Sequence, residues 1–258
     1  MKRIVLVLGL GFLWAPVLLL AGYAFSDSRV PFEWGGFSLR WFAALARNER
    51  MVEAAWLSLR IAAASASLAT LLGLALGWVL ARHGPFAGRS IFGVLAGAPL
   101  VLPEVVTGLA LLLFFVGLQA LTGWPEQRGA VTVWLAHSSL GMAYVAVLAQ
   151  ARLAALDPVL EEAAADLGAT PWAVFRTVTL PLILPSLGAG WLLAFTLSLD
   201  DVVLASFVSG PGATTLPVYL FSQLRLGMTP EANALAVVFL AVAGGISTIA
   251  WVLRRPAG

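Results

Sequence analysis

The sequence predicts an all-α integral membrane protein with six transmembrane helices, and three observations carry that prediction. Of its 258 residues, 60% are apolar and 11% are charged, against about 25% charged in an ordinary soluble domain. The mean hydropathy is +0.94. Six segments are apolar over roughly the 20 residues that a helix needs to cross a bilayer. These figures exclude a water-soluble globular domain. They also exclude disorder, which needs low hydrophobicity and high net charge. The formal charge is +2, with no basic run, so a pI near 9.5 gives no ground for a nucleic-acid partner.

The first span is Ile4 to Phe25, broken by Pro16. Lys2-Arg3 ahead of it resembles the start of a secretory signal, but the run of 22 residues exceeds a signal core of roughly 7–15 residues. An uncleaved first helix is expected. Leu39 to Ala55 is no span: Trp41, Phe42 and Leu45 fall at helical spacing among Arg40, Arg47, Glu49 and Arg50, the pattern of an amphipathic helix lying at the headgroup level. The second span is Ile61 to Ala81. The third, Ser90 to Leu121, is long and interrupted by Pro99, Pro103 and Glu104. The fourth is Val131 to Ala151, the fifth Leu182 to Val208 with Asp200 and Asp201 in its outer part, and the sixth Ala232 to Leu253. An even number of spans puts both termini on one side, and Lys2, Arg3, Arg254 and Arg255 suggest the cytoplasm. Gly73-x-x-x-Gly77 and Gly93-x-x-x-Gly97 are spacings that let helices approach closely in lipid.

Several chemistries are missing. There is no cysteine, and Lys2 is the one lysine. A phosphate-binding loop ending Gly-Lys-[Ser/Thr] therefore cannot be written. His83 and His137 are far apart, and neither begins a His-Glu-x-x-His zinc motif. No catalytic residue, metal or cofactor is expected.

The stretch from Arg152 to Pro181 is punctuated like a folded element. Asp157-Pro158 is a helix start, with a capping carboxylate and then proline at the first helical position. Glu161 and Glu162 suit the positive end of the helix dipole. Ala163, Ala164 and Ala165 are the strongest helix formers, and Gly168 fits the C-cap. Thr170-Pro171 repeats the cap-and-proline start, and Trp172, Phe175 and Val178 give a second short helix one apolar face before Pro181. Two short helices around a glycine turn, outside the membrane plane, are expected. They are either an ordered surface loop or a knob that transmits force to a soluble partner.

Glu162-Ala163-Ala164, then Gly168, then Val178-x-Leu180-Pro181 resembles the EAA motif of the membrane subunits of binding-protein-dependent ABC importers. That family usually has isoleucine where this chain has Val178. The resemblance implies a MetI-like type I permease fold and a single permease domain over residues 1–258. Its core would be 56–254 and its coupling loop 152–181, with Glu161, Glu162, Ala163, Ala164, Gly168, Leu180 and Pro181 facing a separate ATPase. It also implies a homologous permease partner, an ATPase dimer, a periplasmic binding protein and a place in the bacterial inner membrane. Ser38 to Phe42, Ser58 to Ala62 and Pro99 to Glu104 resemble the same family. Leu197 to Asp201 followed by Phe207 to Pro217 is similar to its polyamine branch, and within it to the second permease subunit of putrescine importers. A polyamine, putrescine or spermidine, is the substrate that this implies.

Ionisable groups inside a membrane segment are costly and mark functional sites by default. Away from the span ends there are three clear cases, Glu104, Asp200 and Asp201, and all are acidic. Acids without an internal base suit a cationic solute. Glu104 reads either as a carboxylate that a passing ammonium meets or as a buried acid satisfied by a neighbouring helix. Asp200 and Asp201 read either as the cap of a following half-helix or as a cation contact near the outer mouth. His137 reads as a satisfied core histidine more readily than as a cation gate. Tyr144 and Tyr219 offer aromatic faces or simple packing. Ser209 to Pro217, with two glycines and two prolines among its nine residues, cannot continue a helix and should turn on the periplasmic side; the family resemblance makes it a surface facing the binding protein.

Three rivals stand beside this reading. One is a same-family importer of iron, sugar or an anion, although three acids argue against an anion. One is an intramembrane enzyme, but adjacent aspartates on a helix point about 100° apart and form no facing dyad. The last is a secondary cation transporter, which should show paired repeats of broken helices. No such repeat is evident, and it would leave the punctuated loop without a partner.

Overall fold

The computed structural model describes residues 2–30, 33–226 and 230–253. Its elements are α1 (Lys2–Tyr23), α2 (Arg40–Arg47), α3 (Glu49–Arg82), α4 (Arg89–Val101), α5 (Glu104–Thr122), α6 (Ala130–Ala154), α7 (Val159–Asp166), α8 (Pro171–Val174), a π-helical turn (Phe175–Thr179), α9 (Leu180–Asp200), α10 (Val203–Val208), α11 (Leu216–Leu226) and α12 (Glu231–Leu253). No strand occurs among the described residues, only an isolated bridge between Ser26 and Phe37. Val5–Tyr23, Glu49–Arg82, Glu104–Thr122, Ala130–Ala154 and Pro171–Asp200 are long and apolar enough to cross a membrane, and Arg89–Val101 and Glu231–Val242 are shorter apolar stretches. The chain divides into a terminal unit, residues 1–53 and 219–258, and a central unit, residues 54–218.

In the terminal unit α12 packs on α1 and on α2. The expected amphipathic helix is present but shorter than Leu39 to Ala55. Asn48 ends it, because its N–H closes α2 on the Leu45 carbonyl while its side-chain oxygen accepts from the Met51 N–H and caps α3. The apolar stripe of α2 is covered by the chain itself. Trp41 and Leu45 are buried, and the Trp41 indole N–H donates to the Ser26 carbonyl at 2.7 Å. Phe25 stacks on Phe37 at 5.7 Å, and Arg40 pairs with Asp27 at 2.9 Å.

The second span starts earlier than its hydropathy suggests. Because Asn48 caps at residue 49, α3 runs 34 residues, about 51 Å at 1.5 Å per residue, well beyond a hydrocarbon core of about 30 Å. The third expected span is two helices. Pro103 has no N–H to donate, and with Leu102 extended the chain leaves α4 and restarts as α5.

The central unit is built on the pairing of α6 with α9. Ala66, Ala69, Val145, Ala149, Leu153, Ile183, Leu187 and Ala194 form one core; Ile61, Phe115, Val133, Ala136, Leu204, Ala205 and Val208 form a second. Lipid tails are as apolar as the side chains, so close packing rather than water exclusion holds such helices together. Glycine supplies it. A Cβ on Gly73 would lie 2.6 Å from the Val145 Cβ, and one on Gly77 would lie 2.8 Å from the Ala146 carbonyl. The Gly73–Gly77 spacing thus seats α3 on α6. A Cβ on Gly97 would meet nothing within 4 Å among the described residues, so the second spacing makes no such seat there. Gly77→Leu is expected to cost about 1–3 kcal/mol by overpacking, read as a lower unfolding midpoint in detergent, while Gly97→Leu leaves that midpoint unchanged. Equal midpoints for both variants would refute the seat.

Candidate functional site

Two regions of the central unit hold the chemistry expected from the sequence. The first is the loop between α6 and α9. The Asp157 side chain accepts from the Val159 N–H at 3.0 Å and opens α7. Gly168 closes it at φ +85°, with the Ala169 N–H bonded back to the Ala164 carbonyl at 3.2 Å, the left-handed end that glycine tolerates best. Thr170 then caps the next helix, accepting from the Ala173 N–H, with Pro171 at the first position.

That next helix is not a separate short rod. From Pro171 the chain is helical without interruption to Asp200. The Leu180 N–H bonds the Phe175 carbonyl, a wider π turn that takes up one extra residue. Proline lacks an N–H and presses on the carbonyl four residues back. Behind the π turn, in the first turn of α9, Pro181 is accommodated without ending the helix. The 30 residues span about 45 Å, so one rod is longer than the hydrocarbon core.

The paired acids of α7 face different ways. Glu161 points inward: its Oε1 receives the Arg82 guanidinium at 3.0 Å and the Thr179 hydroxyl at 2.7 Å, tying α7 to the end of α3 and to the π turn. Glu162 and Ala163 are exposed, Ala164 and Leu180 are half-buried, and Gly168 and Pro181 are exposed. A cleft of about 340 Å³ opens beside them, lined by Trp78, Glu161, Glu162, Phe175 and Thr179 among others. Leu167 is 90% exposed, and Leu160 and Trp172 are exposed with it. Leu167, a large apolar residue directly before a C-cap glycine, is a signal that the sequence itself carries. Nothing local could have shown the Arg82–Glu161 pair, whose partners are 79 residues apart.

The second region lies at the α4–α5 and α9–α10 breaks. Glu104 does not sit mid-helix; it is the first residue of α5, exposed, and its side chain makes no hydrogen bond or ion pair among the described residues. Asp200 ends α9 and is exposed. Asp201 is in the break itself, where the backbone is extended, and its carboxylate accepts from the Leu204 N–H at 3.1 Å and the Ala205 N–H at 2.6 Å. It is the cap of α10. His137 is a satisfied core histidine, with Nδ1 2.6 Å from the Ser198 hydroxyl and Nε2 3.2 Å from Asp201 Oδ2. The fifth expected span therefore stops at residue 200. Ser209 to Thr215 forms the expected turn, in which a Cβ on Gly210 would run into the Arg128 carbonyl and Gly212 has φ +74°. Tyr219 lies half-buried on α11 in the terminal unit.

Residues 73–254 match the model of the binding-protein-dependent transport system inner membrane component family. The chain belongs to this family. Among relatives of this inner membrane component, the putrescine transport system permease protein PotI of Escherichia coli K12 is 52% identical over 256 residues, covering 99% of this chain and 91% of that one. The spermidine/putrescine transport system permease protein PotC of the same organism is 35% identical over 229 residues, covering 89% and 84%. A crystal structure of a bacterial ABC transporter that imports the acidic polysaccharide alginate aligns with a TM-score of 0.71 at 14% identity, covering 99% of this chain and 95% of that one. The inward-facing MetNI methionine transporter aligns with a TM-score of 0.61 at 18% identity, covering 83% and 95%. These likenesses show the MetI-like importer fold. An inner membrane component of this kind is a multi-pass transport subunit, not an enzyme, and ATP hydrolysis falls to a separate subunit.

Proposed function

We propose that this chain is one half of the membrane pore of an ATP-driven importer that carries polyamines, putrescine before spermidine, across the bacterial inner membrane. The observation that carries the substrate class is the 52% identity to a putrescine permease across 99% of the chain. The fold is silent on it, since it is shared with transporters of an acidic polysaccharide and of methionine. The side chains agree with a cation: Glu104 and Asp200 are exposed carboxylates at helix breaks, and such breaks in membrane proteins line cavities. Ammonium groups need carboxylates and aromatic faces, and Tyr219 is a candidate for the latter.

The rest of the machine follows from the family. A homologous membrane subunit completes the pore as a heterodimer, and two ATPase subunits engage the loop 152–181 from the cytoplasm. A periplasmic binding protein delivers the solute at the Ser209 to Pro217 turn. Both termini are cytoplasmic, and residues 1–258 act as one permease domain. Closure of the ATPase dimer moves α7, and the Arg82–Glu161–Thr179 contacts pass that motion to α3 and α9 together. The test is uptake of labelled putrescine into proteoliposomes holding the full complex with loaded binding protein. ATP-dependent accumulation is expected. Accumulation of a sugar or iron complex in place of the diamine overturns the substrate class and leaves the family intact.

A further inference from the structure

The adjacent acids at the α9–α10 break have unequal surroundings. The Asp201 side chain is 6% exposed and that of His137 is 2% exposed. Asp201 takes two backbone N–H donors from α10 and the His137 ring. A carboxylate accepts only, so Nε2–H is the donor in that pair. Nδ1, on the other side of the ring, lies 2.6 Å from the Ser198 hydroxyl. His137 thus stands on α6 and grips both sides of the break: Ser198 on α9, and Asp201 at the start of α10. The far end of α10 is held to the same helix, where the Thr132 hydroxyl donates to the Val208 carbonyl at 2.7 Å. Leu204, Ala205 and Val208 fill the core between those anchors.

Asp200 has none of this. It is exposed at the C-terminal end of α9, beside the last carbonyls of a helix whose negative dipole end disfavours an anion and attracts a cation. Among the described residues no other side chain pairs with its carboxylate. We infer that His137 is a positioning residue: it commits Asp201 to capping α10, and so leaves Asp200 as the carboxylate of this pair that meets a substrate ammonium group. The inference rests on the polyamine reading above and assigns unlike roles to two residues that look equivalent in the sequence.

The test measures putrescine transport and ATP hydrolysis in the same proteoliposomes, with saturating loaded binding protein. Asp200→Asn is expected to lower transport roughly tenfold more than hydrolysis, the loss of one charge-assisted hydrogen bond. Asp201→Asn keeps one of the two accepting oxygens and turns an NH2 on the other donors, so it is expected to lower transport and hydrolysis together rather than transport alone. His137→Leu lowers transport relative to hydrolysis as Asp200→Asn does. His137→Gln, whose amide still donates to Asp201, restores it. Loss of transport in Asp201→Asn with none in Asp200→Asn overturns the assignment, as does a failure of His137→Gln to exceed His137→Leu. An equal fall of transport and hydrolysis in both Asp200→Asn and His137→Leu reduces the cluster to a folding element and also overturns it. If the parent complex carries no putrescine, the substrate reading falls and takes this inference with it; parental transport with unaltered Asp200→Asn sinks the inference alone.

Discussion

Lysine in place of Glu162 is expected to abolish solute uptake while leaving the chain inserted in the membrane. Glu162 lies in the first turn of α7 and is exposed. Reversing its charge at a helix N-terminus costs about 0.3–1 kcal/mol, too little to unfold a bundle held by α6 and α9. What it changes is the outward surface of a loop on which Leu160, Leu167 and Trp172 are also exposed. Large exposed apolar side chains around an acid are what a soluble partner would cover. The ATPase subunit should no longer co-purify with the variant from detergent. Glu161→Gln behaves differently, because Glu161 is turned inward onto Arg82 and Thr179. Losing a hydrogen-bonded charge there costs about 1.5–3 kcal/mol and loosens α7 on its own helices, so the ATPase still co-purifies while uptake per ATP falls. Normal uptake by Glu162→Lys would end the docking role.

That two neighbouring glutamates face different ways was not legible in the sequence, although the loop carrying them was. Asp157-Pro158, Gly168 and Thr170-Pro171 act through bonds to residues within five positions, and each is present as read. Hydropathy likewise located the apolar segments but not their ends: α3 and the Pro171–Asp200 rod outrun the hydrocarbon core, and the third expected span is two helices. Exposure and long-range pairing are another matter. The Arg82–Glu161 pair, the His137–Asp201 pair and the fit of Gly73 on Val145 all join distant residues, and no local pattern encodes them. The prolines act as their surroundings allow: the π turn before Pro181 absorbs its misfit and the helix runs on, whereas the interruption expected at Pro103 is a true break, with Leu102 extended. Asn48 is a helix boundary that the aromatic stripe before it hides in the sequence.

Alanine at Glu104 is expected to lower putrescine uptake at least tenfold while the four-part assembly purifies intact. The two readings of this residue differ in size. As a helix-start acid, Glu104 contributes about 0.3–1 kcal/mol to α5 through the dipole. Among the described residues no other side chain engages it, so its removal strands no buried partner there. A structural role is therefore capped near the level that assembly tolerates. As a contact for an ammonium group, it supplies a charge-assisted bond worth about 1.5–3 kcal/mol, which is more than tenfold in rate or affinity at 1.4 kcal/mol per decade. Glu104→Gln divides the remaining possibilities, since it keeps the size and the hydrogen-bonding oxygen and removes only the charge. An uptake defect in glutamine equal to that in alanine means the charge itself is used, as a cationic solute demands. Full uptake by glutamine with loss by alanine would mean that the side chain merely fills space at the α4–α5 break, and loss of assembly in both would return Glu104 to a structural part.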